Sequence, residues 1–182
     1  MNTDNNTDID ITDEETKEVY ARYGLTAYTA QLFEIELGQF LIHVLQMQNL
    51  VRTVEELDSI VNNISQKTLG FILNELKKKT KLEPRLEEKL KIAVDKRNYL
   101  THHYFYKNSF KFFSKKGQAE MIAELNALRE LFEEAENISL SLSKITRKLI
   151  GYDENKIEVL AEETMKAQIK SYADTGSIRS DF

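Results

Sequence analysis

From Lys116 to Ile150 apolar residues return every three or four positions: Met121, Leu125, Leu128, Phe132, Ala135, Ile138, Leu142, Ile145 and Leu149. That is the period of an α-helix. At 1.5 Å per residue the run reaches roughly 50 Å, longer than a compact domain usually requires. Such a helix often serves a partner subunit. A single proline and six glycines in 182 residues leave too few turns for a β-sandwich, which needs one every few residues. The chain is long enough to bury one core. The fold expected is all-α, an up-and-down helical bundle with an additional C-terminal helix.

The remaining elements follow from caps and breaks. Residues 1–13 are polar and acidic and are expected to be a disordered tail. A short helix from Glu15 to about Tyr23, a break at Gly24 and a long helix over 26–48 come next. In the long helix Phe33, Leu37, Phe40, Leu41 and Val44 form one stripe, and Tyr28, Leu32, Ile35 and Ile42 another, so it should lie at the centre. Thr53 and Glu56 have capping-box spacing; the helix they open is interrupted near Asn62 and Asn63 and resumes over 65–78. Its end carries Lys77, Lys78 and Lys79, whose charges complement the helix dipole. Pro84 suits the first turn of a helix running to about Tyr106, and 110–114 is a connection. Gly151 and Asp153 mark a stop and a restart. The bundle is thus expected over 14–151, an accessory helix over 152–172 and a flexible tail over 173–182.

The formal charge of −5 is unevenly spread. Residues 1–15 hold six acids and no base, which leaves the rest of the chain at +1. Such a body lacks the overall basic footprint of a non-specific nucleic-acid binder, although a local patch can serve. The stretch 37–51 is too short and too polar to cross a bilayer. With no cysteine and no basic-then-apolar leader, a cytoplasmic protein without membrane contact is expected. Glycine-rich phosphate loops, nucleophile elbows and zinc signatures are missing from the sequence, and neither a metal nor a cofactor is expected.

Two of the three histidines are adjacent, in the stretch from Lys96 to Tyr106 that also holds Arg97, Asn98, His102, His103 and Tyr104. On a helical wheel Leu86, Leu90, Ala93, Val94, Leu100 and Tyr104 form an apolar stripe with Arg97 in its middle. A guanidinium there demands a carboxylate, backbone carbonyls or a bound anion. Asn98 and His102, four residues apart, neighbour each other, whereas Arg97 and His102 differ by about 140° around an ideal helix. A dimer seam would bring them together. Imidazole exchanges protons near neutrality and arginine binds phosphate, a combination suited to acid–base chemistry on a phosphodiester without a metal. The structural alternative is an ion pair of Arg97 with an acid such as Glu36.

Arginine followed by histidine after four to six residues would arise by chance in roughly one chain of this composition in three; adding Asn98 and Tyr104 at their spacings lowers this to roughly one in three thousand. The pattern resembles the motif of HEPN domains, all-α bundles defined by Arg, four to six residues and His, commonly with a polar residue after the Arg. The fuller form, Arg97-x4-His102-x-Tyr104, is similar to the HepT-type toxins paired with MNT nucleotidyltransferase antitoxins. The resemblance implies a metal-independent endoribonuclease, a hydrolase of toxin–antitoxin or phage-defence systems. It would act on single-stranded RNA or tRNA as a homodimer, with two motif helices facing across the seam. It assigns phosphate binding to Arg97, positioning to Asn98, activation of the ribose 2′-hydroxyl or protonation of the leaving oxygen to His102, and antitoxin modification to Tyr104. His103 offers a second register. A non-catalytic RNA- or protein-binding scaffold of the same fold is the alternative.

Six aromatics between Tyr104 and Phe113 alternate with Lys107 and Lys111 and are followed by Lys115 and Lys116. They either stack on RNA, with Lys107 and Lys111 as contacts, or close one end of the bundle. His43 reads as an interface or core residue, and Glu162 and Glu163 as a solvated face.

Overall fold

A computed structural model describes residues 12–175. The helices are α1 (Asp13–Met47), α2 (Val54–Ser65), α3 (Leu69–Lys79), α4 (Pro84–His102), the single turn α5 (Tyr104–Lys107), α6 (Lys115–Leu149) and α7 (Glu154–Thr175), with a 3₁₀ turn at Lys111–Phe113. The chain is an all-α bundle. The Thr26 hydroxyl donates to the Leu125 carbonyl, and His43 meets Ser143, so α1 and α6 run parallel. Tyr23 with Leu100 and Glu34 with Arg97 set α4 antiparallel to α1, and Tyr99 with Glu124 and Lys89 with Glu134 set it antiparallel to α6. Of the tail expected over 1–13, residues 1–11 lie outside the described residues, whereas Thr12 caps α1 and Asp13 opens it; of the tail expected over 173–182, residues 173–175 continue α7 and the rest lie outside the described residues.

Caps place most boundaries. Thr53 and Glu56 close the capping box expected of α2, and Thr12 with Glu15 forms a second one at α1. Pro84 stands in the first turn of α4, and Lys77–Lys79 end α3. Gly24 does not break α1, which is one 35-residue helix. A glycine inside a helix costs only about 1 kcal/mol, which the packed turns on either side offset. The interruption between α2 and α3 falls at Gln66–Thr68 rather than at Asn62 and Asn63, because Thr68 accepts from the Phe71 amide and caps α3.

The core holds the expected stripe of α1 and, from α6, Met121, Leu125, Leu128, Phe132 and Ala135. Two expectations fail. Of the second stripe of α1 only Ile42 is buried, while Tyr28 and Ile35 are exposed, Ile35 lining an open cleft with Val61 and Ile64 of α2. In the second half of α6 the buried row is Ser139, Ser143 and Thr146, while Ile145 and Leu149 face outward. The hydroxyls of Ser139 and Thr146 donate to the carbonyls of Ala135 and Leu142 one turn back, which lets polar side chains be buried without an unpaired donor. After Leu149 the chain turns at Gly151, whose φ of +88° favours glycine. Arg147 pairs with Glu154 through two contacts of 2.9 and 2.8 Å across this turn, and α7 has no buried residue.

Gly117 sets the start of α6. A Cβ there would stand 2.1 Å from the Lys111 carbonyl oxygen, backbone that cannot rotate away. Ser114 caps the helix by accepting from the Gly117 amide at 3.0 Å. Alanine ordinarily favours a helix over glycine by about 1 kcal/mol. Here Gly117→Ala is expected to destabilise the fold by about 1–3 kcal/mol through overpacking, read as a lower urea midpoint; an unchanged or higher midpoint would contradict the close approach.

Candidate functional site

The motif occupies the last turn of α4, which stops short of the expected Tyr106. His103 leaves helical geometry (φ −131°, ψ −15°) and caps α4, its amide bonding to the Tyr99 carbonyl. A polar clamp competes with helix continuation here. Tyr104 is buried, its hydroxyl donating to the Met121 carbonyl at 2.8 Å. The Asn108 amide donates back to the Tyr104 carbonyl and to Glu124, which also accepts from Tyr99 at 2.9 Å. Burial, then the nearby Glu124 charge, pushes the Tyr104 phenol well above its usual range. Tyr104 is therefore a core residue that fixes the end of α4. The expectation that it meets an antitoxin or substrate at the surface does not fit this placement, because the hydroxyl is turned inward and already engaged.

Arg97, Asn98 and His102 line one open cleft of about 560 Å³. Both Arg97 and His102 line this cleft within a single chain despite their angular separation on the helix. Opposite them lie Lys67 and Thr68 of the α2–α3 turn and Gly70 in the first turn of α3, and Glu34 of α1 forms another wall. Arg97 donates from Nη2 to Glu34 Oε2 at 2.7 Å, with the two side chains 25% and 26% exposed. Arg97 is thus half-buried at the rim of the apolar stripe rather than sunk within it. Its partner is Glu34 and not Glu36, which faces α6 instead. Burial, and then the neighbouring Glu136, raises the Glu36 carboxyl above its usual range.

The contact between Arg97 and Glu34 runs through one nitrogen, so the fork is not consumed by a bidentate pair. Lys67 lies 5.4 Å from the centre of the Phe71 ring. The beginning of α3 opens on the same cleft, where unpaired helix amides favour negative charge. Arg97 and Lys67 against the single carboxylate of Glu34 leave the lining with a net positive charge, which favours an anion. No protein-family model, curated protein or solved structure matches this chain. The argument for what the cleft does rests on its own chemistry.

His103 is exposed but is not among the residues lining the cleft, its ring centre 6.3 Å from that of His102. The two lysines expected to contact RNA have protein partners: Lys107 lies 5.5 Å from the centre of the Tyr99 ring, and Lys111 pairs with Glu120 at 3.2 Å. His43 is a core residue, 9% exposed, with Nδ1 3.1 Å from the Ser143 hydroxyl. Among the described residues no three His, Asp or Glu side chains gather to hold a metal ion, and no helix is long and apolar enough to cross a membrane. Sequence reasoning missed Glu34, Lys67 and Thr68. They come from two other elements, and no local spacing ties them to Arg97.

Proposed function

We propose that the chain is a HEPN-like, metal-independent endoribonuclease whose reaction takes place in the Arg97/His102 cleft. The observation carrying this reading is the convergence of Arg97, Asn98 and His102 with Lys67 in one open, anion-favouring concavity. An imidazole in that position takes the proton of a ribose 2′-hydroxyl. The 2′-oxygen then attacks phosphorus, the bond to the 5′-oxygen breaks, and that oxygen takes a proton to leave as a 5′-hydroxyl beside a 2′,3′-cyclic phosphate. Arg97 and Lys67 neutralise the charge that grows on the phosphate. One proton is removed and another supplied, while each cleft holds one imidazole. A homodimer that sets two clefts face to face supplies both, and a solution mass twice that of the chain is expected. A toxin or phage-defence role, with a nucleotidyltransferase-type antitoxin as partner, is the setting that goes with this chemistry.

One observation favours a second reading, a non-catalytic RNA- or protein-binding scaffold: Arg97 already has a carboxylate at 2.7 Å. The two readings separate on Arg97→Ala. Removing the guanidinium leaves the part-buried Glu34 unpaired, a cost of about 1–3 kcal/mol, so the variant is checked for folding by its helicity. In EDTA it should lose cleavage of single-stranded RNA by about 10²–10³-fold, the scale for removing a charge-stabilising donor. Equal cleavage by wild type and variant, or none by either, would leave the scaffold. Relief of growth arrest on expression of the same variant, at equal protein level, is the cellular counterpart.

A further inference from the structure

We infer that Tyr106, Phe110 and Phe113, with Lys107 and Lys111 between them, form a stacking surface for single-stranded RNA that extends from the Arg97/His102 cleft. The inference deepens the ribonuclease reading and rests on it for the identity of the ligand. The structure divides the aromatic stretch in two. Tyr104, Phe105 and Phe112 turn inward, with Phe105 4.7 Å from Tyr23 and Phe112 5.5 Å from Tyr20, centre to centre. Tyr106, Phe110 and Phe113 turn outward and are 83%, 92% and 68% exposed. Three large rings left in water within eight residues are not explained by packing. Their backbone is held from behind by the inward rings and by the close approach of the 3₁₀ turn to Gly117. The outward rings are therefore presented from an anchored segment.

Charge selects the ligand. From Lys96 to Ala119 the sequence holds Lys96, Arg97, Lys107, Lys111, Lys115 and Lys116 and no acid. These six positive charges fall in the one segment that carries both the motif and the exposed rings, while the rest of the chain is acidic. Lys111 and Lys115 pair with Glu120 and Glu15 at 3.2 and 3.7 Å, all four being well exposed. Such pairs contribute little and yield to phosphate. Rings interleaved with cations are what a single strand needs, since every base offers a face and every nucleotide a charge. A duplex offers no open bases. Tyr106 follows His102 by four residues, which holds their Cα atoms within about 14 Å of each other, so a strand of a few nucleotides can reach from the rings to the cleft.

The test compares wild type with the triple variant Tyr106→Ala, Phe110→Ala, Phe113→Ala, all at exposed positions and checked for unchanged helicity. The binding probe is a fluorescent 12-nucleotide 2′-O-methyl RNA, which cannot be cleaved, in EDTA. Its Kd is expected to rise by at least about ten-fold, the loss of one stacked base, while turnover of a dinucleotide too short to span the surface stays at the wild-type rate. Equal affinity of the two proteins for the 12-mer, or none in either, would overturn the proposal. So would loss of binding confined to phosphatidylserine vesicles, which would make the surface a membrane contact. Failure of the wild type to cleave any RNA would remove the ribonuclease reading alone, because the binding comparison still decides whether the rings stack on RNA.

Discussion

Replacing His102 with alanine is expected to slow RNA cleavage by about 10²–10⁴-fold, the contribution of a positioned general acid or base, whereas His103→Ala should remain near wild type. The two imidazoles are adjacent, and the sequence offers both registers of the motif. Geometry separates them. His102 is the last residue of α4 and lines the cleft with Arg97 and Asn98. His103 has left the helix: its backbone is turned by the inward commitment of Tyr104, and its side chain is not part of the cleft wall. Both residues are exposed, so neither substitution should disturb the core, and a difference in rate reports chemistry rather than folding. The measurement is single-turnover cleavage of a defined RNA in EDTA at matched helicity. Equal loss for the two variants would mean that the adjacent imidazoles are interchangeable, and the assignment of the cleft to His102 would fail.

The legible part of this protein is what depends on neighbours in the chain. Thr53 with Glu56, Pro84 and the three-four spacing of α6 each act through bonds or packing within one or two turns, and each appears where expected. The acid opposite Arg97 was not legible for a specific reason. Glu34 and Glu36 flank the buried stripe of α1 on opposite sides, so choosing between them requires knowing on which side α4 packs. That is a property of the whole bundle. The outward drift of Ile145 and Leu149 was hidden in another way, because the buried row of that half of α6 consists of hydroxyl residues, which hydropathy reads as surface. Within the motif, Arg97, Asn98 and His102 could be singled out from their types and spacing, but a helical wheel sends Arg97 and His102 in different directions. That they line one cleft depends on the segment between α2 and α3, which supplies its opposite wall.

The same polar half of the α1–α6 contact makes the fold sensitive to acid. His43 is held near neutral charge in the bundle: burial first, and then the positive charge of Arg147, lowers its pKa from 6.5 to about 4. In the unfolded chain it protonates near its ordinary value. Between these two values the unfolded state binds the proton and the folded state does not, so the contribution of this group is fully present above about pH 6.5 and is lost as pH falls toward 4. The shift corresponds to about 3 kcal/mol over the whole window, of which about 2 kcal/mol should be lost between pH 7 and pH 5. Glu36 and Glu136 act with the opposite sign, since burial raises both carboxyls and their contribution falls as pH rises through the carboxylate range. The wild-type curve therefore mixes the two effects, and the informative quantity is its difference from His43→Gln, which keeps a polar partner for Ser143 but does not titrate. Urea unfolding at pH 7 and pH 5 should show the wild type losing about 2 kcal/mol more than the variant over this interval. Curves that run parallel would mean that His43 is as readily protonated in the bundle as in water, and that its contact with Ser143 at 3.1 Å does not depend on a neutral ring.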